Sequence, residues 1–179
     1  MNTDTVTLWK VDASHSEVQF KVKHLVISTV TGSFNSFSGT VETGESGFED
    51  ASISFEADID SISTGDKDRD DHLKSEDFFN AEHHPKLSFK STSFEKVADS
   101  NYKMTGDITI AGNTNEITLD VVHGGIATGP QGNTRAGFDL NGKISRKEFG
   151  LTWNPVTEAG SVVVGDEIKL LISVQLVKS

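Results

Sequence analysis

The chain has 179 residues, enough for a single domain spanning 1–179 that buries about two-thirds of its unfolded surface in one core. Its 27 acidic and 16 basic side chains leave a net charge of -11, which repels phosphate backbones and anionic head groups and excludes a nucleic-acid partner. The absence of cysteine excludes disulfides and thiol chemistry.

The opening MNTDTVTLWKVD has no basic n-region, apolar h-region or small-residue cleavage site. The expected location is the cytoplasm for the chain as it stands, and the periplasm if a leader was removed. No apolar stretch approaches the roughly 18 to 20 residues of a membrane helix, so no integral membrane segment is expected.

Period-two alternation, which puts apolar side chains on one face of a strand, then recurs along the chain. The first run is Val18, Phe20, Val22; the second carries Phe34, Phe37 and Val41, with a phase slip at Asn35-Ser36 that reads as a bulge. Ile53, Phe55, Ala57 and Ile59 form the third, and Leu87 and Phe89 the fourth. Tyr102, Met104, Ile108 and Ile110 follow, then Ile117, Leu119 and Val121, then Ala136, Phe138, Leu140 and Ile144, and last Ile168, Leu170, Ile172, Val174 and Leu176. These make eight strands. The links at 43–47, 98–101, 111–115 and 129–133 are short and rich in Gly, Asn and Ser, which favours antiparallel neighbours.

Eight antiparallel strands close into a barrel or split into a sandwich, and periodicity does not decide between them. Small inward residues, Ala57, Gly106, Ala136 and Gly142, either leave a cavity or relieve crowding at corners; a cavity is the preferred reading.

Two stretches break the alternation. Over 66–81, Asp66 or Thr64 caps a short helix, and Ser75 starts a further turn ending in Phe78-Phe79 before Pro85 forces extension. Over 145–155, SRKEFGLTWNP carries apolar Phe149, Leu151 and Trp153, with a turn at Asn154-Pro155. Both would sit at a barrel mouth. Consecutive Phe78 and Phe79 on a polar segment must dock on apolar surface, and an open barrel end supplies it; burying one such ring contributes about 1.5 to 3 kcal/mol.

The segment 69–85, RDDHLKSEDFFNAEHHP, also holds three of the six histidines. No H-E-x-x-H or similar spacing occurs, and adjacent His83 and His84 on an extended chain face opposite ways, so no metal is expected. The acidic run DKDRDDHLKSED lacks the calcium-loop pattern and is interrupted by Lys67, Arg69 and Lys74. No G-x-S-x-G elbow accompanies the Ser, His and Asp residues, so no catalytic residue and no cofactor is assigned.

Three motifs in combination, W-x-V-D-x-x-H-S from Trp9, R-D-x-H-L-x-S-x-D-F-F from Arg69 and R-x-x-F-G from Arg146, resemble the YceI-like family. The resemblance, which also takes in GSFNSFSG at 32–39 and GDITIAGNT at 106–114, runs from Trp9 to near the C-terminus. It implies an all-β, eight-stranded antiparallel, lipocalin-like β-barrel with short helical segments near one end and a lipophilic pocket. Members bind polyisoprenoids or other long-chain amphiphilic lipids, and many are periplasmic or secreted.

The expected function is therefore a non-catalytic lipid-binding protein that carries, stores or sequesters a long-chain lipid or polyisoprenoid inside the barrel. The ligand-binding residues expected inside are Phe20, Val22, Phe34, Ile53, Phe55, Ile59, Phe89, Ile108, Leu119, Phe138, Ile144, Leu170 and Ile172, with Leu73, Phe78, Phe79 and Phe149 near a mouth. His24, Arg69, His72 and Arg146 are the candidates for head-group contact; internal pairing with Asp68, Asp71 or Asp77 is the competing role for Arg69. Two other functions remain open: an enzyme acting on a hydrophobic substrate with His24 or His72 as acid or base, and a stress-related interaction module with a solid barrel. Pairing of two chains as a homodimer is also left open.

Overall fold

The computed structural model describes residues 6–24, 28–44, 47–76, 78–130, 132–151 and 164–179. Trp153 and the Asn154-Pro155 turn lie outside the described residues, as does the side chain of His24.

Among the described residues, alternating polar and apolar side chains produce eleven strand segments: β1 (Thr7–Val11), β2 (Glu17–His24), β3 (Ser28–Phe34), β4 (Phe37–Gly44), β5 (Gly47–Asp58), β6 (Ile62–Ser63), β7 (Lys86–Ala98), β8 (Asn101–Ile110), β9 (Asn113–Thr128), β10 (Thr134–Ser145) and β11 (Val164–Lys178). They make eight staves, because three pairs of segments are interrupted strands. β1 and β2 run along one edge of β11, with Val11 opposite Leu176 and Glu17 opposite Ser173. β4 and β3 continue one another beside them, and β5 and β6 do the same on the far side. Pairing of β11 with β1 and β2 closes the sheet into an antiparallel barrel and leaves no stave without two neighbours.

The corner between β1 and β2 explains the W-x-V-D-x-x-H-S motif. Asp12 Oδ1 accepts hydrogen bonds from the backbone N–H and hydroxyl of Ser14, while Oδ2 faces Arg135 Nη1 at 2.8 Å and His15 Nδ1 at 2.9 Å. Arg135 also donates to Gln175 Oε1 at 2.7 Å, tying β10, β11 and the corner together. The Arg135 guanidinium, followed by the Ser14 and His15 contacts, holds the Asp12 carboxyl far below the usual carboxylate range. The corner lets the chain shed a 3-10 turn, Ala13–His15, without losing its place on β11.

The phase slip expected as a bulge at Asn35-Ser36 is a break between two strands. Asn35 N–H donates to Ser61 O and Ser36 O accepts from Asp58 N–H, so the interruption is shared with the neighbouring stave. Thr7–Val11 is a strand that the alternation did not mark out, because Leu8, Trp9 and Val11 give it too short an apolar run.

The cavity reading of the small inward residues is corrected at two glycines. A Cβ on Gly106 would lie 2.5 Å from the Phe89 ring and from Lys90 O, and one on Gly142 would collide with Leu119. These positions are small because a neighbour's side chain lies across them, filling the space rather than leaving it open. Ala57, by contrast, lines open space.

Among the described residues there is one α-helix, α1 (Lys67–Lys74), whose Leu73 reaches the barrel interior. Asp66 caps it by accepting from the N–H groups of Asp68 and Arg69. The Asp70 carboxylate accepts from both the N–H and hydroxyl of Thr64, which anchors the helix to the end of β6. Ser75 then opens a tight turn in which Phe78 N–H donates to Ser75 O and Phe79 N–H to Leu73 O. The turn points Phe78 and Phe79 into the barrel, where both are buried. No helix among the described residues is long and apolar enough to cross a membrane.

Candidate functional site

Among the described residues, inward side chains of the eight staves line two chambers. The first lies between Val11, Val41, Phe48, Ile53, Phe55 and Phe94 on one side and Leu119, Val121, Phe138, Val174 and Leu176 on the other. Its cavity volume is about 90 Å³, or about 640 Å³ when all the unfilled space out to solvent is counted. Every described lining side chain is a hydrocarbon except the thioether of Met104.

The second chamber measures about 110 Å³, or about 870 Å³ out to solvent. Its walls include Val18, Phe20, Val22, Phe34, Ile108, Ile144, Ile168 and Leu170, and Leu73, Phe78 and Phe79 cover it. Ile172 lines both chambers, so they are neighbours in one interior. Together they are smaller than the roughly 300 to 1,000 Å³ of drug-sized ligand pockets, so a long occupant must displace side chains at its ends.

Among the expected interior residues, Ile53, Phe55, Leu119 and Phe138 line the first chamber. Phe20, Val22, Phe34, Leu73, Phe78, Phe79, Ile108, Ile144 and Leu170 line the second. Three stand apart from both linings: Ile59, buried at the start of a 3-10 turn; Phe89, spent on covering Gly106; and Phe149, 1% exposed beneath the turn Arg146–Phe149. Alternation finds the inward face but not which of its members pack solidly.

The charged candidates separate clearly. Arg69 is exposed and bound to its own segment, with Nε donating to Thr64 Oγ1 at 2.7 Å and Nη2 to Thr64 O at 2.8 Å. Among the described residues Thr64 is the partner of Arg69, and Asp71 instead faces Lys67; Asp77, the third acid expected, lies outside the described residues. His72 sets its ring edge-on to Phe78, centroids 5.1 Å apart, beneath the plug.

Arg146 is 2% exposed and is the one charged residue among the described lining residues of either chamber. Its R-x-x-F-G-L context explains how it is held. Gly150, at φ 77°, turns the chain back so that Leu151 N–H donates to Arg146 O, while Arg146 Nη1 donates to Leu151 O at 2.6 Å. Asn113 and Asn115 donate to the Phe149 and Glu148 carbonyls and fasten this turn to β9. Burial lowers the Arg146 pKa from its ordinary value, and the nearby Asp166 carboxylate opposes that change. Asp166 is itself held low by Ser145, which donates to it at 2.6 Å.

The far end of the first chamber is sealed by rings that sequence reasoning did not bring together. Phe48 packs on Trp9 at 5.1 Å and edge-on to Phe138 at 4.8 Å; His123 stacks on Phe138 at 4.5 Å, and Phe94 on Tyr102 at 4.9 Å. These residues come from separate staves; Tyr102 and Phe138 belong to visible alternations and His123 continues one, two places after Val121, whereas Trp9, Phe48 and Phe94 lie outside them.

No described histidine side chain lines either chamber. Asp12, Ser14 and His15 do meet, but Ser14 Oγ and Asp12 both contact His15 Nδ1, whereas a relay needs the two on opposite ring nitrogens. Among the described residues, no three His, Asp or Glu side chains converge to hold a metal.

The model of the YceI-like domain matches residues 9–176. A UPF0312 protein of Staphylococcus aureus (strain USA300) is 36% identical over 171 residues, covering 95% of this chain and 97% of the relative. The crystal structure of the Campylobacter jejuni YCEI protein superposes with a TM-score of 0.73 at 33% identity, covering 100% of this chain and 99% of that one. A polyisoprenoid-binding domain from Saccharophagus degradans, implicated in plant cell wall breakdown, shares the fold at 14% identity, with a TM-score of 0.70 over 96% of this chain and 98% of that one. With a family match that spans nearly every stave, and close relatives at full length, this chain belongs to the YceI-like family.

Proposed function

We propose that this protein binds a long apolar molecule, an isoprenoid chain or another long-chain amphiphile, inside the barrel, and carries or sequesters it without chemical change. The observation that carries the reading is the pair of adjoining apolar chambers that share Ile172, with Arg146 the one charged residue among their described lining residues. Each methylene taken from water contributes about 0.8 kcal/mol. Ten of them reach about 8 kcal/mol, the magnitude of a micromolar Kd before ordering costs. The fold shared with a polyisoprenoid-binding domain supports the same reading. An anionic or strongly polar head would lie against Arg146, whose guanidinium is pre-positioned by the Leu151 carbonyl. Arg69 and His72 serve the plug in this arrangement, and His24 remains a candidate by sequence position alone.

Native mass spectrometry of the protein incubated with a polyprenyl phosphate tests the proposal. A one-to-one complex is expected for the wild type, and its loss is expected in folded Phe55→Glu and Phe138→Glu variants. Undiminished uptake by those variants would mean that the ligand sits elsewhere.

A further inference from the structure

The His123 ring continues the inward row of β9 after Leu119 and Val121, both of which line the first chamber. It lies one layer behind that lining, stacked at 13° on Phe138 and tilted at 67° to Phe48. Its Nε2 is buried and has no hydrogen-bond partner, a rare condition for a polar side-chain atom. Desolvation lowers the His123 pKa and favours the neutral ring, while a hydrogen bond at the Gly125 backbone acts in the opposite direction. A backbone contact that favours the protonated ring is one in which a ring N–H donates to a carbonyl. In the tautomer that carries its N–H on Nδ1, the unpartnered Nε2 presents a bare lone pair.

No described side chain donates to it: the other rings around it are Phe48, Phe138 and Tyr102, whose ring centroid is 6.4 Å away. A buried acceptor of this kind discriminates strongly among ligands, because it rewards a donor and gains nothing from an ether or a hydrocarbon.

We infer that His123 Nε2 is a hydrogen-bond acceptor site for the hydroxyl of a long-chain alcohol whose hydrocarbon tail lies in the first chamber. The inference rests on the barrel-interior reading above and adds a ligand class and an orientation. The hydroxyl enters between Phe48 and Phe138, and the chain then runs past Ile172 toward the second chamber. An alcohol thus lies head-inward at the ring-sealed end, whereas an anionic amphiphile lies with its head at Arg146.

The test compares dodecanol with its isomer methyl undecyl ether, which has the same atoms but no donor. Each displaces a fluorescent fatty probe from the wild type and from His123→Phe, which keeps a stacked ring. Circular dichroism and thermal unfolding establish that the variant is folded. The wild type is expected to prefer the alcohol by about tenfold, and His123→Phe to lose that preference while keeping its affinity for the ether. In wild-type protein labelled at its histidines, the Nε2 nitrogen resonance of His123 should shift with the alcohol and stay in place with the ether, a result that does not depend on the variant. Equal binding of both isomers to the wild type, or a preference that survives His123→Phe, overturns the inference and leaves the barrel reading standing. Binding of neither isomer, together with failure to bind polyprenyl phosphate, overturns the barrel reading and the inference with it.

Discussion

The two ends of the barrel are closed by different means. At the second chamber, closure depends on a single short segment: α1 is held by the Asp66 cap and the Thr64–Asp70 bonds, and only Leu73, Phe78 and Phe79 reach inward. At the first chamber, closure is built into the staves, since Trp9, Phe48, Phe94, Tyr102, His123 and Phe138 all extend from paired strands. Displacing the plug costs the burial of a few side chains and some helix-cap bonds. Opening the ring-sealed end would require separating strands. The barrel therefore has one end suited to admitting a ligand and one suited to limiting how deep it goes.

Truncation gives the largest expected contrast. Phe138→Ala removes the ring on which Phe48, Phe94 and His123 all converge and should cost about 3 to 5 kcal/mol of global stability in urea unfolding. Phe79→Ala touches only the plug and its contact with Phe34, so its main effect should be faster ligand exchange, with a smaller loss of global stability. Equal losses in the two variants would show that plug and sheet unfold as one unit.

A gentler change acts on the plug alone. Asp66→Ala deletes the cap of α1 and should cost about 1 kcal/mol, read as increased amide hydrogen exchange over 67–74 with unchanged protection of β8 and β9. Loss of protection in those strands would contradict the idea that the plug opens independently.

The smallest effect is titrational and belongs to the ring-sealed end. His123 has a folded-state pKa below its ordinary value of 6.5, so the unfolded chain takes up the proton first. Stability is complete above pH 6.5 and declines as pH falls from there toward the folded-state pKa; His123→Phe should flatten that part of the stability curve. The Asp12 contribution occupies a separate window. Its depressed carboxyl stabilises the fold above the ordinary carboxylate pKa of 3.8, and that contribution is lost only in stronger acid, as pH falls through the folded-state pKa.

Much of this arrangement was legible in the sequence. Alternation alone supplied eight staves, since a half-buried strand cannot hide its period, and the pair Phe78-Phe79 on a polar segment required an apolar landing site. The ring cluster was illegible because its members are brought together by sheet register, with Phe48 beside a turn and Trp9 in a short strand. Arg69 and Arg146 looked alike as candidates for head-group contact. Their fates differ because Gly150 folds one against a carbonyl inside the barrel, while Thr64 holds the other on the surface. Gly106 and Gly142 looked like gaps because the side chains that fill them come from neighbouring strands.

The shared edge of β11 has a consequence for the order of assembly. The strand that closes the sheet is the last of the eight staves in chain order, and its partners β1 and β2 are the first. Contacts of that sequence separation form late, because the intervening chain must be looped before they gain anything. During synthesis the seven earlier staves would leave the ribosome as an open, curved sheet with its greasy face uncovered, so a nascent chain is most prone to aggregate, or most in need of a chaperone, just before its final strand emerges.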